Sequence, residues 1–561
     1  MNSSIYTTVL IVGGGPVGLT AAIELSAHGV PVILVTEKLE TAQHPKCNNT
    51  NARSMEYYRR LGLAQKLREA SLPANMERAS AYVTRFCGYE FGRLPRPHSD
   101  WPTPEIPNNI SQLTLEKILR RHAEERTGQK VFFGHTLLSY TVRSDAKTVD
   151  SKAPEIEALI KGPDDQTFKV FAEYLIGADG ATSLVRKLIG ARLQGEDGTA
   201  SLAFMGGTML SYYIKAPRLI GLSGRVPTHS TWIINPEMRG LMFSQDGKEH
   251  WVVHYQVPQG VDWKSLDARK IVGQMLEKPS ENHSDDACNA VEFEILSGGP
   301  WKGGLALVAD RYQKGNVFLV GDAAHLFTPL GGMGMNTGIG DVINLCWKIA
   351  ANYQGWAGPS LLKTYEIERL SIGIRNSSFG VKCARVMDGW KVPADFEDET
   401  PHAQAERAHL GDQILVEDLP QYLSVGLQLG ERYSTSPVIF EDPGPEPEDR
   451  WDVYEPLDRT GSRAPHCWLG DKDSLYDHFG NGFTLLNLGN PLHSGPLEKV
   501  AREIGIPLTV LQTKHPAVLD LYRNTLTIIR PDQHIAWHAN NATEKDAIEI
   551  FNRLRGLLSA Y

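Results

Sequence analysis

Hydrophobic residues in the first seventy positions follow two periods in turn. Residues 7–12 are an unbroken run of threonine and aliphatic side chains, the pattern of a strand buried on both faces. The run enters Gly13-Gly14-Gly15-Pro16-Val17-Gly18. Apolar Leu19, Ala22, Ile23 and Ala27 then fall on one face of a helix that Gly29 stops. A second strand, residues 32–36, follows at once. The spacing predicts a parallel strand, helix, strand unit of about thirty residues.

Alternating helix and strand patterns return from 112 to 190 and close in Gly177-Ala178-Asp179-Gly180. Between 200 and 296 the period shortens to strands at 229–234, 240–244 and 251–257, separated by turn residues, which predicts an inserted antiparallel sheet. A third strand, 316–320, runs into Gly321-Asp322, and a helix with Ile339, Val342, Ile343, Cys346, Trp347 and Ala350 at helical spacing follows. The three turns form one site only if an α/β domain is assembled from discontinuous segments. The Pro-rich, acidic stretch 441–449 cannot continue a helix or a central strand. Beyond it, strands at 483–488, 508–511 and 526–529 and an amphipathic helix at 543–558 predict a compact tail.

The 561 residues exceed one domain, and 41% hydrophobic content suffices for large cores. Lys and Arg number 57 against 66 Asp and Glu, and the net charge of −9 argues against a nucleic-acid partner. The six cysteines include no Cys-x-x-Cys, so neither a metal cluster nor a dithiol is supported. No basic n-region precedes the first apolar run and no window of about 18 apolar residues occurs, which leads us to expect a soluble, cytoplasmic protein that does not enter membranes.

Gly13 to Gly18 match G-x-G-x-x-G between a strand and a helix, the context of a dinucleotide fingerprint. Gly13 permits the tight turn, Gly15 the approach of a pyrophosphate, and Gly18 close helix packing. Pro16 opens the helix, whose N-terminus favours phosphate. Glu37, with Lys38 beside it, stands nineteen residues past Gly18, where an acid grips a ribose hydroxyl. The loop Gly331-Gly332-Met333-Gly334-Met335-Asn336 lets a flat ring lie against backbone at a helix start.

These motifs, in this order, resemble the class A flavin-dependent aromatic hydroxylases, the family of para-hydroxybenzoate and phenol hydroxylase. The resemblance implies a discontinuous Rossmann-type FAD domain (1–75, 105–190 and 300–375), a substrate domain (76–104 and 191–299) and a helical connection (376–440). Residues 441–561 would form a thioredoxin-like tail, implied by Gly461 to His466 and Arg530 to Trp537, with no redox pair. It places Asp179 in a DG motif and Asp322 on the ribityl chain. Gly332, Gly334, Met335 and Asn336 fall beside the isoalloxazine, Gln112 on FAD, and the Pro329 carbonyl between flavin and substrate. Lys46 stands where an arginine is frequent.

The implied reaction uses NAD(P)H and O2 to hydroxylate a small phenolic aromatic through a flavin C4a-hydroperoxide. A lone fingerprint implies that nicotinamide docks transiently on the flavin domain. Asn48 falls where phenol hydroxylase has an acid, and an amide cannot serve as base. Among Tyr212, Tyr213, Trp232, His254 and Tyr255, His254 is preferred as base because an imidazole titrates near neutrality. His325 is read as structural. The assembly considered is a homodimer. Baeyer-Villiger oxygenation of a quinone or polyketide, an oxygen-independent reductase, and a non-catalytic flavoprotein scaffold stay as alternatives.

Overall fold

The computed structural model describes residues 4–95, 100–143, 155–197, 205–277 and 291–557. Ser4–Val12, whose last five residues are buried, lies at the centre of the first sheet. Thr167–Gly177 and Val32–Thr36 flank it in parallel, and Val317–Leu319 and Phe132–Phe133 extend the parallel order outward. Val12 stands opposite Gly177, and Gly177 opposite Leu319, so three strands distant in sequence end level. Their turns therefore emerge side by side at the carboxyl edge, where open α/β sheets bind ligands. Helices Pro16–Ala27, Gln112–Thr127 and Met333–Tyr353 pack together on this sheet.

Close backbone contact shapes the first and third turns and joins the first to the second. A Cβ on Gly18 would lie 1.9 Å from the Gly13 carbonyl oxygen, and one on Gly13 2.1 Å from that of Ala178. A Cβ on Gly338 would lie 2.8 Å from the Gly321 Cα. Arg186 adds a polar tie: it donates to the Ala181 and Ala323 carbonyls at 2.6 and 3.0 Å, joining the second turn to the third.

The second sheet runs in the order Glu294–Gly303, Gly207–Lys215, His250–Gln256, Arg239–Ser244, Thr228–Ile234, Glu77–Val83, Glu90–Pro95. The expected antiparallel sheet is corrected at one pairing, because Thr228–Ile234 and Glu77–Val83 are parallel. Parallel neighbours need a long crossover, and here the chain passes through the first sheet between them. One face carries Trp251, Tyr212 and Tyr255 into a core with Ala268–Leu276. The other carries Met209, Trp232 and Leu241 into a core with Leu330, Phe379 and Tyr422, which belong to the glycine-rich loop and to the helical segments after residue 363.

At the C-terminal end, Phe483–Asn487 pairs in parallel with Leu508–Gln512 and antiparallel with Leu526–Ile529, which pairs with Ile535–Ala539. Buried charge docks this sheet on the helices that pack on the first sheet. Arg530 donates to Glu368 at 2.7 Å and Lys348 to the same carboxylate at 2.7 Å. Glu56 accepts from Arg53 at 2.6 Å and from Arg463. The acidic stretch 441–449 is tied down as well, with Asp449 on Arg375 at 2.7 Å and Asp442 on His538 at 2.7 Å. The five described cysteines are free thiols, and Cys288 lies outside the described residues. No helix among the described residues is long and apolar enough to cross a membrane.

Burial alone would raise the Glu56 carboxyl, but Arg463 and Arg53 outweigh it and hold it at about 2. A folded value below the unfolded one stabilises the native state above about pH 4.5, and that stability is lost as pH falls toward 2. At neutrality the shift corresponds to about 3 kcal/mol. Glu56→Gln leaves two buried guanidinium groups short of their anion. Its melting temperature is therefore expected to lie well below wild type at pH 7, with the gap narrowing as pH is lowered from about 4.5 toward 2. A gap independent of pH would contradict this assignment.

Candidate active site

Helix Pro16–Ala27 begins at Gly15 with no side-chain cap, which leaves its first-turn N–H groups and positive end for an anion. A Cβ on Gly15 would meet nothing within 4 Å, in contrast to Gly13 and Gly18. The backbone is thus open to a ligand at one glycine and closed at two. Glu37 and Lys38 are exposed just past the neighbouring strand. Across the cleft, helix Met333–Tyr353 starts from Gly332 (φ +65), also without a side-chain cap. The carboxylate of Asp322 is open to the cleft yet ringed by protein. That crowding raises it above the usual carboxylate range against the pull of His325 and Lys46. The position a Cβ would take on Gly334 lies 4.0 Å from its Oδ1. An uncapped helix end, a bare backbone and two acids for hydroxyl groups fit FAD.

Other expected cofactor residues act on the frame. Asp179 braces the start of the next short helix, whose N-cap is Ser183, accepting from Ser183 Oγ at 2.5 Å and Val185 N at 3.1 Å. Gln112 Oε1 accepts from the backbone N–H groups of Lys46 and Cys47, and its amide donates to Glu116 at 2.6 Å. Asn336 accepts from Asn51 N at 2.9 Å and donates to the Asn49 and Gly332 carbonyls. These bonds fix loop 46–51 against the glycine loop. Met335 Sδ touches Cys47 Sγ at 3.4 Å. Burial pushes the Cys47 thiol up to about 12, with Glu116 and Asp322 adding, so no thiolate is offered there. His325 Nε2 meets Asp341 at 2.8 Å, and Asp341 also accepts from Gly321 N and Arg369, which makes His325 part of the support for the third turn.

Between the Pro329–Gly332 loop and the second sheet lies a cavity with about 760 Å³ of empty space, partly continuous with solvent. Asn48, Pro329, Leu330 and Gly332 form the loop side, and Met205, Trp232, Leu241 and Phe243 the sheet side. The third wall is Gln421, Tyr422, Ser424 and Gln428, from the helical connection. Sequence reasoning missed this wall, which carries no motif and reaches the site only through tertiary packing. Trp232 Nε1 donates to Tyr422 Oη at 2.8 Å, Tyr82 and Tyr422 share a hydrogen bond at 3.2 Å, and Tyr82 donates to Asp418.

His254 pairs in register with Leu241, so it occupies the cavity face of the sheet. Its ring packs edge-on against Phe243 and Trp301, with centroids at 6.1 and 5.7 Å. The expectation of titration near neutrality is corrected: burial, with His44 adding, holds His254 down to about 4. Both ring nitrogens of His44 meet serines of the sheet, Ser297 at 2.9 Å and Ser211 at 2.8 Å, which anchors the Asn48 loop to the second sheet. Tyr213 stacks on His250 at 5.7 Å, outside the cavity lining, and Tyr212 and Tyr255 belong to the core on the far face.

The glycine contacts separate binding from folding. Gly18→Ala is expected to yield insoluble protein or a melting temperature lowered by many degrees. Gly15→Ala should keep the wild-type melting profile of the FAD-free protein and retain several-fold less FAD through gel filtration. Equal loss of fold in both variants would contradict the reading.

Residues 6–379 match the FAD binding domain model, and 458–557 match the aromatic-ring hydroxylase C-terminal model. The chain is 30% identical to the FAD-dependent monooxygenase apdD of Emericella nidulans, over 99% of this chain and 91% of that protein. It is 29% identical to the 2,4-dichlorophenol 6-monooxygenase of Delftia acidovorans, over 99% of both. The solved structure of the rebeccamycin biosynthetic enzyme RebC with reduced flavin superposes with a TM-score of 0.87 at 29% identity, covering 99% of this chain and 100% of that one. Aklavinone-11 hydroxylase in its ternary complex with FAD and aklavinone gives 0.77 at 25% identity, covering 99% of each chain. With a fingerprint helix open to a pyrophosphate and an aromatic-walled cavity beside the glycine loop, the chain belongs to the FAD-dependent aromatic-ring hydroxylases and is an FAD-dependent monooxygenase.

Proposed function

We propose that the enzyme places one oxygen atom from O2 on a phenolic ring seated between Pro329 and Trp232, with NAD(P)H as reductant. The observation that carries this reading is the cavity itself, bounded by the glycine loop on one side and by Trp232, Leu241 and Phe243 on the other. Bound FAD supplies the redox chemistry that passes electrons from nicotinamide to O2 and oxygen to the ring.

The protein positions the ring and keeps the cavity dry. Trp232 and Phe243 offer flat apolar surface, while the Asn48 carboxamide and the Tyr422 hydroxyl can hydrogen-bond a substrate hydroxyl. The chain Tyr422, Tyr82, Asp418 gives a phenol proton a route away from the ring at the moment oxygen arrives. We assign activation to this route because His254 is held neutral and weakly basic. In the same reading, the first turn, Glu37 and Asp322 hold the cofactor, and nicotinamide docks on the flavin side. The mixed four-strand sheet of the tail, with helices Gly495–Glu503 and Glu544–Leu554, supports reading residues 441–561 as thioredoxin-like in shape.

With FAD-loaded enzyme, NAD(P)H oxidation should accelerate at least several-fold when a suitable phenol is added, and mass spectrometry under 18O2 should find one labelled oxygen in the product. A broad phenol panel that yields only hydrogen peroxide and no acceleration would refute the proposal.

A further inference from the structure

We infer that the cavity selects uncharged aromatic substrates, rings that carry hydroxyl or carbonyl oxygens and no carboxylate, sulfonate or phosphate. The inference rests on the hydroxylase reading of this same site and narrows its substrate class. Among the described residues, eighteen line the cavity, and none is Lys, Arg, Asp or Glu. The polar part of the lining is neutral: carboxamides such as Asn48, Asn109 and Gln421, and the hydroxyls of Ser230 and Tyr422. Such groups both donate and accept, which suits neutral oxygen substituents. They cannot replace the hydration of a full negative charge, and an anion moved into such a site without a cation is strongly disfavoured.

The wall behind the lining adds to this selection. Asp418 is 2% exposed and accepts hydrogen bonds from Tyr82 and from Gln421 Nε2, the latter at 2.5 Å. A carboxylate thus stands one side chain behind the cavity, where its field opposes a second anion. The route through Tyr422 and Tyr82 leaves one negative charge shared between phenol and Asp418 during reaction, and a carboxylated ring would bring another into the same small volume. Two features of opposite tendency border the site. His229, 1% exposed, lies against the Phe243 ring at 5.6 Å, and the positive end of helix Met333–Tyr353 starts at Gly332. In the reading above the flavin takes the helix end, and the buried imidazole is the sole remaining candidate to pair with an anion among the described lining residues.

Two ligands of matched size and shape test this: 4-hydroxybenzamide and 4-hydroxybenzoate, each titrated into FAD-loaded enzyme near pH 7 while the flavin absorbance is followed. The amide is expected to bind and the benzoate to bind weaker by roughly a hundredfold. Leu241→Arg, which puts a cation on the lining, should shift the ratio toward the benzoate by at least about tenfold. Should that variant not fold, the wild-type ratio decides. Benzoate binding within about threefold of the amide would overturn the inference and make His229 the anion partner. Failure of the amide and a panel of other uncharged phenols to perturb the flavin would overturn it as well. Binding and turnover are read separately. Selective binding without ring hydroxylation removes the hydroxylase reading and leaves the charge selection standing, and equal binding with hydroxylation of both ligands does the reverse.

Discussion

Three turns crowd the carboxyl edge of the first sheet: the first meets the second backbone to backbone, and the third packs on the Val17 side chain of the first. Gly13 lies against Ala178, Gly18 against Gly13, and Gly338 against Gly321, each with less room than one methyl group requires. The Gly13–Ala178 contact joins positions 165 residues apart, whereas the other two close the first and third turns on themselves, and the surrounding elements bring the three turns together. Level strand ends bring the turns to one height, Arg186 ties the second turn to the third, and Asp341 holds Gly321 N and His325 beneath the third.

From that junction the active site follows by polarity and shape. Two helices start at it without side-chain caps, so their positive ends face a common cleft, and one glycine, Gly15, stays open where the others are closed. The glycine loop that starts the second helix is also a wall of the aromatic-lined cavity. The helix start that fits FAD and one wall of the cavity are therefore one element, and their separation is set by the frame. The buried arginine and lysine contacts at Glu56 and Glu368 fasten the tail onto the same frame.

Much of the frame was legible in the residues because it is written locally. Residues 32–36 and 526–529 are strands within the same limits that the hydrophobic run predicts, and the fingerprint sits between strand and helix as its spacing requires. Long-range features were not legible. The parallel pairing of Thr228–Ile234 with Glu77–Val83 joins segments 145 residues apart, and no local pattern signals it. Tyr422 and Gln421 reach the cavity from a helical connection with no motif. Gln112 and Asn336 stand at the expected places, yet their amides bind the Lys46 to Asn51 loop, a use that depends on partners fixed only by folding. The basicity of His254 failed for the same reason: an imidazole's strength is set by what surrounds it, and Phe243, Trp301 and His44 come together only in the folded sheet.

We propose that the junction of the three turns seats the cofactor, with the ring pointing to the cavity beneath Trp232. A crystal structure of the enzyme with FAD and an uncharged phenol measures this directly. Pyrophosphate oxygens are expected on the first-turn N–H groups of helix Pro16–Ala27, the Asp322 carboxylate on a cofactor hydroxyl, and the phenol between Pro329 and Trp232. Electron density for the flavin outside this cleft, or a phenol held away from the Trp232 wall, would contradict it.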